Sequence, residues 1–288
     1  MPDLGPFLRP DAKKYAEDCV RLSREALVHT RAVLDVLYGQ DFFQKLDILL
    51  PTDTELKELP VLIFIHGGAW KNGFKEWFGY MAPALVSLPA ILVSPNYRLA
   101  PQVKFPVPLD DCCAMLSWVY SHIAAYGGDS HRIFIGGHSA GGHLASLMAL
   151  RPELLTKRGL PKDVIKGCFA LSAAFDMQRK KADAQRAQLL DLLLQSDDDG
   201  ASSSPIEFVN GNKVPFHIVH GTHDFPELLT DNKRMVEALR KEGSPVEHYV
   251  LDGHSHFDTS IACGDINGVW VQTVRRWLAA RGMRQLPA

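Results

Sequence analysis

The sequence predicts an α/β fold, a mostly parallel sheet covered by helices on both faces, and three observations carry that expectation. Strand-length apolar runs alternate with helix-length amphipathic segments along the whole chain, with no detectable internal repeat. Several runs, among them Pro60-Val-Leu-Ile-Phe-Ile-His66 and Ala90-Ile-Leu-Val-Ser94, are apolar throughout, as strands buried on both faces are. The residues able to do chemistry fall directly after such runs, at the carboxyl ends of strands, where parallel sheets gather their sites. A length of 288 residues suits one such domain with a small cap or lid.

In order, residues 12–38 read as a helix, with Val20, Leu27, Val28, Leu34 and Leu37 at roughly helical spacing. As the segment ahead of the first strand, 1–38 serves either as a helical cap over a site or as packing. Gln44–Leu50 alternates as a strand and Pro51 ends it. Pro60–His66 is a strand running into the loop Gly67-Gly-Ala-Trp70, and Ala90–Ser94 a strand running into Pro95-Asn-Tyr-Arg-Leu-Ala-Pro101. Leu109–Tyr126 reads as a helix with Met115, Trp118, Val119 and Ile123 toward the core. Arg132–Ile135 is a strand, Gly137-His-Ser-Ala-Gly141 a sharp turn, and His143–Leu150 a helix. Ile165–Leu171 is the next strand. Residues 176–205 break the rhythm with a Leu-rich helical piece (Gln185–Leu194) and then Asp197–Ser204, which reads as a cap or rim insertion. Val214–His220 is a strand ending in Gly221-Thr-His-Asp224, Leu228–Glu242 a helix, Val246–Leu251 a strand, Gly253–Asp258 a loop, and Val269–Arg281 an amphipathic closing helix.

Composition narrows the function classes. Apolar residues make up 46% and charged residues 22%, a globular balance, and a net charge of −2 offers no electrostatic attraction to nucleic acid or anionic membrane. Five cysteines, with Cys112 and Cys113 adjacent and no C-x-x-C, do not form a disulfide framework. The start Met-Pro-Asp-Leu-Gly-Pro-Phe lacks the basic and apolar regions of a signal peptide, and the apolar runs are too short to span a bilayer. A reducing, cytoplasmic setting is therefore expected, with a small-molecule ester or amide as partner. Monomer and homodimer both remain open.

The turn Gly137-His-Ser139-Ala-Gly141 between strand and helix projects the Ser139 hydroxyl above the sheet edge, at the positive end of the following helix. A serine hydroxyl is a poor nucleophile until a base takes its proton, and the base needs an acid group to fix its tautomer. Asp224, past a buried strand, is the best-placed acid; its alternative role is to cap the helix from Leu228. Asp252 and Asp258 lie within the base loop itself. His256 is preferred as base, with the neighbouring Phe257 as an anchor, and His254 is the competitor. An oxyanion would meet the amides of Ala140, Gly68 and Ala69, with Gly67 letting the backbone approach. Trp70 and His138 are candidate substrate contacts, His138 otherwise serving in packing or hydrogen bonding, and His66 braces its loop. His217, His220 and His223 resemble a metal cluster, but a separation of three along a strand puts side chains on opposite faces. H-E-x-x-H is absent, no dinucleotide fingerprint follows the strand, and neither a metal nor a cofactor is expected.

The combination His66-Gly-Gly-Ala-Trp70, Tyr97-Arg-Leu-Ala-Pro101 with Phe105-Pro106, and Gly137-His-Ser-Ala-Gly-Gly-His-Leu144 resembles the α/β-hydrolase superfamily, in the branch of hormone-sensitive-lipase-like carboxylesterases and kynurenine formamidase (arylformamidase). The resemblance runs from about Tyr38 to the end. His-Gly-Gly-x-Trp and His256-Phe257-Asp258 look most like kynurenine formamidase. His138 stands where lipase relatives usually carry Asp, and Ala69 where formamidases commonly carry an aromatic. The resemblance implies Ser139 as nucleophile, Asp224 as acid and His256 as base in a serine hydrolase of small esters or formamides. Two alternatives use or lose the same site: an acyltransferase or cyclase with the same triad, and a non-catalytic small-molecule receptor on this fold.

Overall fold

The computed structural model describes residues 10–182, 184–196 and 198–280. The first nine residues of the expected cap segment, Asp183 and Asp197 of the expected insertion and the last residue of the expected closing helix, Arg281, lie outside them.

Eight strands form one sheet: β1 (Arg31–Leu37), β2 (Lys45–Leu50), β3 (Leu59–Ile65), β4 (Ile91–Pro95), β5 (Gly128–His138), β6 (Ile165–Leu171), β7 (Phe216–His223) and β8 (Val246–Ser255). Their spatial order is β1-β2-β4-β3-β5-β6-β7-β8. β1, β2 and β4 pair antiparallel; every other pair is parallel. The helices are α1 (Pro10–Leu27), α2 (Ala82–Val86), α3 (Val107–His122), α4 (Ala140–Leu150), α5 (Pro152–Thr156), α6 (Ala184–Leu193), α7 (Asp199–Ser202), α8 (Pro226–Lys241), α9 (His256–Ile261) and α10 (Val269–Ala279).

The apolar strands are buried on both faces because alternate residues feed two separate cores. Val61, Ile63 and Ile65 of β3 join Met115 and Leu116 of α3, Leu144 and Met148 of α4, and Met235 of α8. Leu62 and Phe64 face the other way, into Tyr15 and Cys19 of α1, Leu85 of α2, and Trp270 and Trp277 of α10. The expected three-layer arrangement is the one observed. The order along the sheet reverses beside β3, since the chain moves from β3 outward to β4 and returns to place β5 on β3's other side. Such a switch point opens a crevice at the carboxyl ends of the two strands.

Three expected elements differ. Residues 12–38 are not one helix: α1 stops at Leu27 and β1 begins at Arg31. The register of β1 on β2 shifts between Val33 and Val36 at a bulge, where Asp35 has φ 57°. A bulge spaces inward residues by three instead of two and so imitates helical periodicity. Val33 and Val36 meet the core, while Leu34 and Leu37 are 51% and 59% exposed. The second difference is β5, which starts at Gly128, paired with Leu59, and runs through a polar stretch in which the Arg132 guanidinium donates to the Glu58 and Leu278 carbonyls. The third is the loop expected at 253–258: β8 runs to Ser255, where the Ser255 hydroxyl accepts the Asp258 N–H and the Asp258 carboxylate accepts the Ser255 N–H. This reciprocal cap starts α9 at His256. All five cysteines are buried and free, and among the described residues no helix is long and apolar enough to cross a membrane.

Candidate active site

Ser139 sits between β5 and α4 with φ 54° and ψ −118°, a conformation that L-residues adopt only when their surroundings enforce it. Its N–H donates to the Leu171 carbonyl (2.9 Å), and its own carbonyl accepts from His143 N–H (3.0 Å). The turn also needs room on both sides. A Cβ on Gly141 would stand 2.0 Å from the Ile65 carbonyl oxygen, and one on Gly137 would stand 2.4 Å from the Gly141 carbonyl carbon. Side chains at either position would therefore drive α4 away from β3. The sequence pattern of the turn follows from this contact rather than from any demand of chemistry.

The loop after β3 lies on the other flank of the crevice. Gly68 (φ 116°), Ala69 (φ 55°) and Trp70 (φ 56°) are consecutive left-handed residues, and Gly68 O accepts from the N–H groups of Lys71 and Asn72. Gly67 passes so close to the elbow that a Cβ there would meet the His138 carbonyl at 2.9 Å. Ala140 opens α4, so its N–H has no intrahelical acceptor. His66 braces this loop: its Nδ1–H donates to Gly67 O (2.8 Å), its ring stacks on Tyr97 at 4.4 Å, and the Tyr97 hydroxyl donates to His66 O. Burial lowers the His66 pKa to about 4.

Asp224 and His256 come together although 31 residues of chain separate them. His256 Nδ1 donates to Asp224 Oδ1 at 2.8 Å, and the Asp224 side chain is fully buried. The same Asp224 oxygen accepts the Phe225 N–H (2.7 Å), while α8 starts behind it without a side-chain cap. Asp224 is therefore not the cap of that helix. Burial raises its pKa, but the His256 hydrogen bond and charge, the Ser172 hydroxyl and the Phe225 N–H outweigh that and hold it below the ordinary carboxylate range. Phe225 stacks on the His256 ring at 4.4 Å, fixing the plane of the imidazole. His138 Nε2–H donates to the His256 carbonyl (3.0 Å), and its own pKa falls to about 3, from burial first and from the His256 charge second.

A cavity of about 100 Å³ opens where these parts meet. Ser139, His256, Gly68 and Ala69 share it, and Tyr15, Trp77, Phe225 and Phe257 supply aromatic walls. His138 also lines it. Trp70 does not: its ring turns into the core, donating from Nε1 to His143 Nδ1 (3.1 Å), and His143 in turn donates to Ser203 O. His254 stays outside as well, bonded to the Asp252 carbonyl. The segment 176–205, expected as an insertion, packs through Leu190, Leu193 and Leu194 against the core and contributes no described residue to the cavity wall. The three histidines of β7 separate as the alternation requires: His217 lies against Phe169 and Trp277, His220 against His248 on the opposite face, and His223 is exposed.

Several of these residues are not among the sequence-predicted site residues. Tyr15 and Ala12 come from α1, whose amphipathic pattern shows a buried face but not what the face covers. Phe225 was visible as the neighbour of Asp224. Lys75 carried no signal. It is 3% exposed, and its ammonium donates to Asp47 at 2.9 Å and Glu76 at 3.0 Å. Its backbone is pinned by Asn96 and Ser94, which fixes the turn presenting Trp77. Burial lowers the Lys75 pKa, but Asp47 and Glu76 together raise it further.

Residues 46–231 match the BD-FAE family, which is more than half of the chain. The chain belongs to the BD-FAE family. The matched span of this BD-FAE protein includes the loop after β3, the elbow and Asp224, and ends before His256. Among curated proteins the chain is similar to "Esterase LipC" of Mycobacterium tuberculosis, 31% identical over 86% of this chain and 64% of that one. It is also similar to "Kynurenine formamidase" of Danio rerio, 28% identical over 79% of this chain and 75% of that one. The chain spans between half and two thirds of the length of the first curated relatives it matches. Among solved structures a putative thioesterase from Silicibacter sp. TM1040 superposes with a TM-score of 0.76 over 93% of this chain and 95% of that one, at 23% identity. That likeness shows the α/β-hydrolase fold of the esterase neighbours.

Proposed function

We propose that this chain is a serine hydrolase of small carboxylic esters, working through an acyl-enzyme on Ser139. The observation that carries the reading is the buried His256–Asp224 hydrogen bond of 2.8 Å in the wall of the cavity that also holds Ser139. Asp224, ionised at neutral pH, keeps the Nδ1 proton on His256 and leaves Nε2 to accept the serine proton. The alkoxide adds to the ester carbonyl, and the new oxyanion lies toward the N–H groups of Ala69 and Ala140, the latter at the positive end of α4. His256 then gives its proton to the departing alcohol, and a water deprotonated by the same ring releases the acid. A mixed aromatic and backbone-lined pocket of this size suits a short acyl group better than a lipid.

The similarity to the Danio rerio kynurenine formamidase, which spans 75% of that protein, favours a second reading in which the carbonyl belongs to an aryl formamide. One experiment tests both: kcat/KM on p-nitrophenyl acetate and on N-formyl-L-kynurenine for wild type and Ser139→Ala. Ester turnover that disappears in Ser139→Ala is the expected result. A formamide kcat/KM at or above the ester value replaces the first reading with the second, and turnover that survives Ser139→Ala removes both.

A further inference from the structure

Trp77 stands between two spaces. On one side is the cavity holding Ser139 and His256. On the other is an open groove of about 490 Å³ between α1 and the turn at 74–77, floored by Ala16, Val20 and Phe74 and rimmed by Arg21 and Arg24 with Glu17 and Glu25. The indole is 2% exposed and meets Tyr15 edge-on at 5.6 Å and Phe74 at 6.3 Å. Tyr15 is itself tied down, its hydroxyl 2.7 Å from Ser260 Oγ and its ring stacked on Phe257 at 4.8 Å. From behind, Lys75 and its carboxylates hold the turn. The wall is thus rigid, thin and apolar on both faces.

Resting on the hydrolase reading above, we propose that Trp77, backed by Tyr15, is the specificity-determining wall that ends the acyl pocket, so that the chain selects acyl groups from acetyl to butyryl. The direction follows from the base. His256 must hand its proton to the leaving group, so the alcohol departs past His256 and its neighbours Phe225 and Phe257. The acyl group is then assigned to the part of the cavity bounded by Asn72 and Trp77, because the rings packed on His256 are those of His138, Phe225 and Phe257. Beyond that wall lies an apolar-floored groove in which a longer chain could be buried if the indole were removed. The groove's rim carries two arginines and two glutamates, so it presents no net charge that would favour an acidic chain end.

The test is a kcat/KM series on p-nitrophenyl esters from acetate to decanoate. Wild type is expected to fall at least about tenfold from butyrate to octanoate. Each methylene newly buried is worth roughly fourfold, so Trp77→Ala should raise the octanoate-to-acetate ratio by about tenfold to a hundredfold. Adding Val20→Trp to that variant fills the groove and should cancel the gain. Ala12→Trp, on the half-exposed face of α1, narrows the pocket without touching the core and should shorten the accepted chain to acetyl. That variant keeps the test valid if Trp77→Ala fails to fold. An unchanged chain-length profile in a folded Trp77→Ala or in Ala12→Trp overturns the proposal. So does a gain confined to longer alcohol groups in an acetate-ester series. Loss of turnover in Ser139→Ala is read separately and concerns only the hydrolase reading.

Discussion

Replacing Asp224 by asparagine changes charge and almost nothing else. The amide oxygen can keep both bonds the carboxylate oxygen accepts, from His256 Nδ1–H at 2.8 Å and Phe225 N–H at 2.7 Å. What is lost is the negative charge opposite the imidazolium that forms when Ser139 is deprotonated. With charge centres about 4 Å apart and an effective dielectric constant near 20, that attraction is about 4 kcal/mol, or roughly a thousandfold in rate. A flip of the amide that favours the wrong tautomer adds to the loss. Stability should fall only modestly, because the lowered pKa of Asp224 means the folded surroundings favour its charge, while a neutral amide costs less to bury. The assay is kcat/KM on p-nitrophenyl acetate near pH 8, with thermal melting followed by circular dichroism. A loss of about 10³-fold at an unchanged or modestly lowered Tm is expected. A folded variant that loses less than about tenfold would refute the assignment of Asp224 as the partner of the base.

The remaining predictions are narrower. His256→Ala should lower kcat/KM by about 10⁴-fold and His254→Ala by less than about threefold, since His254 bonds only a local carbonyl outside the cavity; the reverse order of losses would transfer the base role to His254. Gly141→Ala, with its Cβ 2.0 Å from the Ile65 oxygen, should destabilise the fold by about 3 kcal/mol or more, read as the shift in urea midpoint. The protein should also lose stability in mild acid. His66, His143 and His217, with pKa about 4, and His138, with pKa about 3, are buried and neutral, whereas the unfolded chain titrates them near 6.5. Folded values below unfolded ones mean stability that is full above pH 6.5 and is lost as pH falls toward 4. Near pH 5 these four rings alone bind more protons in the unfolded state than in the folded one, so stability should fall steeply there. Urea midpoints at pH 7, 6 and 5 that do not fall would contradict the neutral burial of these rings.

Much of this was legible in the sequence. Unbroken apolar runs such as Leu59–Ile65 require a strand covered on both faces, and that alone fixes the layered fold. The glycines around Ser139 are a local requirement, because the turn and the β3 contact leave no space for a Cβ. Motif and chain order singled out Asp224 and His256 because both follow strands that end at one sheet edge. Misreadings arose where local pattern and tertiary context disagreed. The bulge in β1 mimicked a helix, and the cap formed by Ser255 and Asp258 turned an expected loop into α9. Trp70, named beside the loop as a substrate contact, was drawn into the core by its bond to His143.

The sequence by itself determined the layers, the elbow and the three residues from separate strand ends that converge, since each depends on hydrophobic periodicity or on backbone sterics within a few residues. Only the tertiary structure decided which aromatics wall the cavity, that His254 lies outside it, and that Lys75 is buried among carboxylates. Those facts depend on contacts between segments such as Tyr15 with Phe257 and Ser260, more than two hundred residues apart in the chain. Packing of that range leaves no periodic signal in the residues that make it.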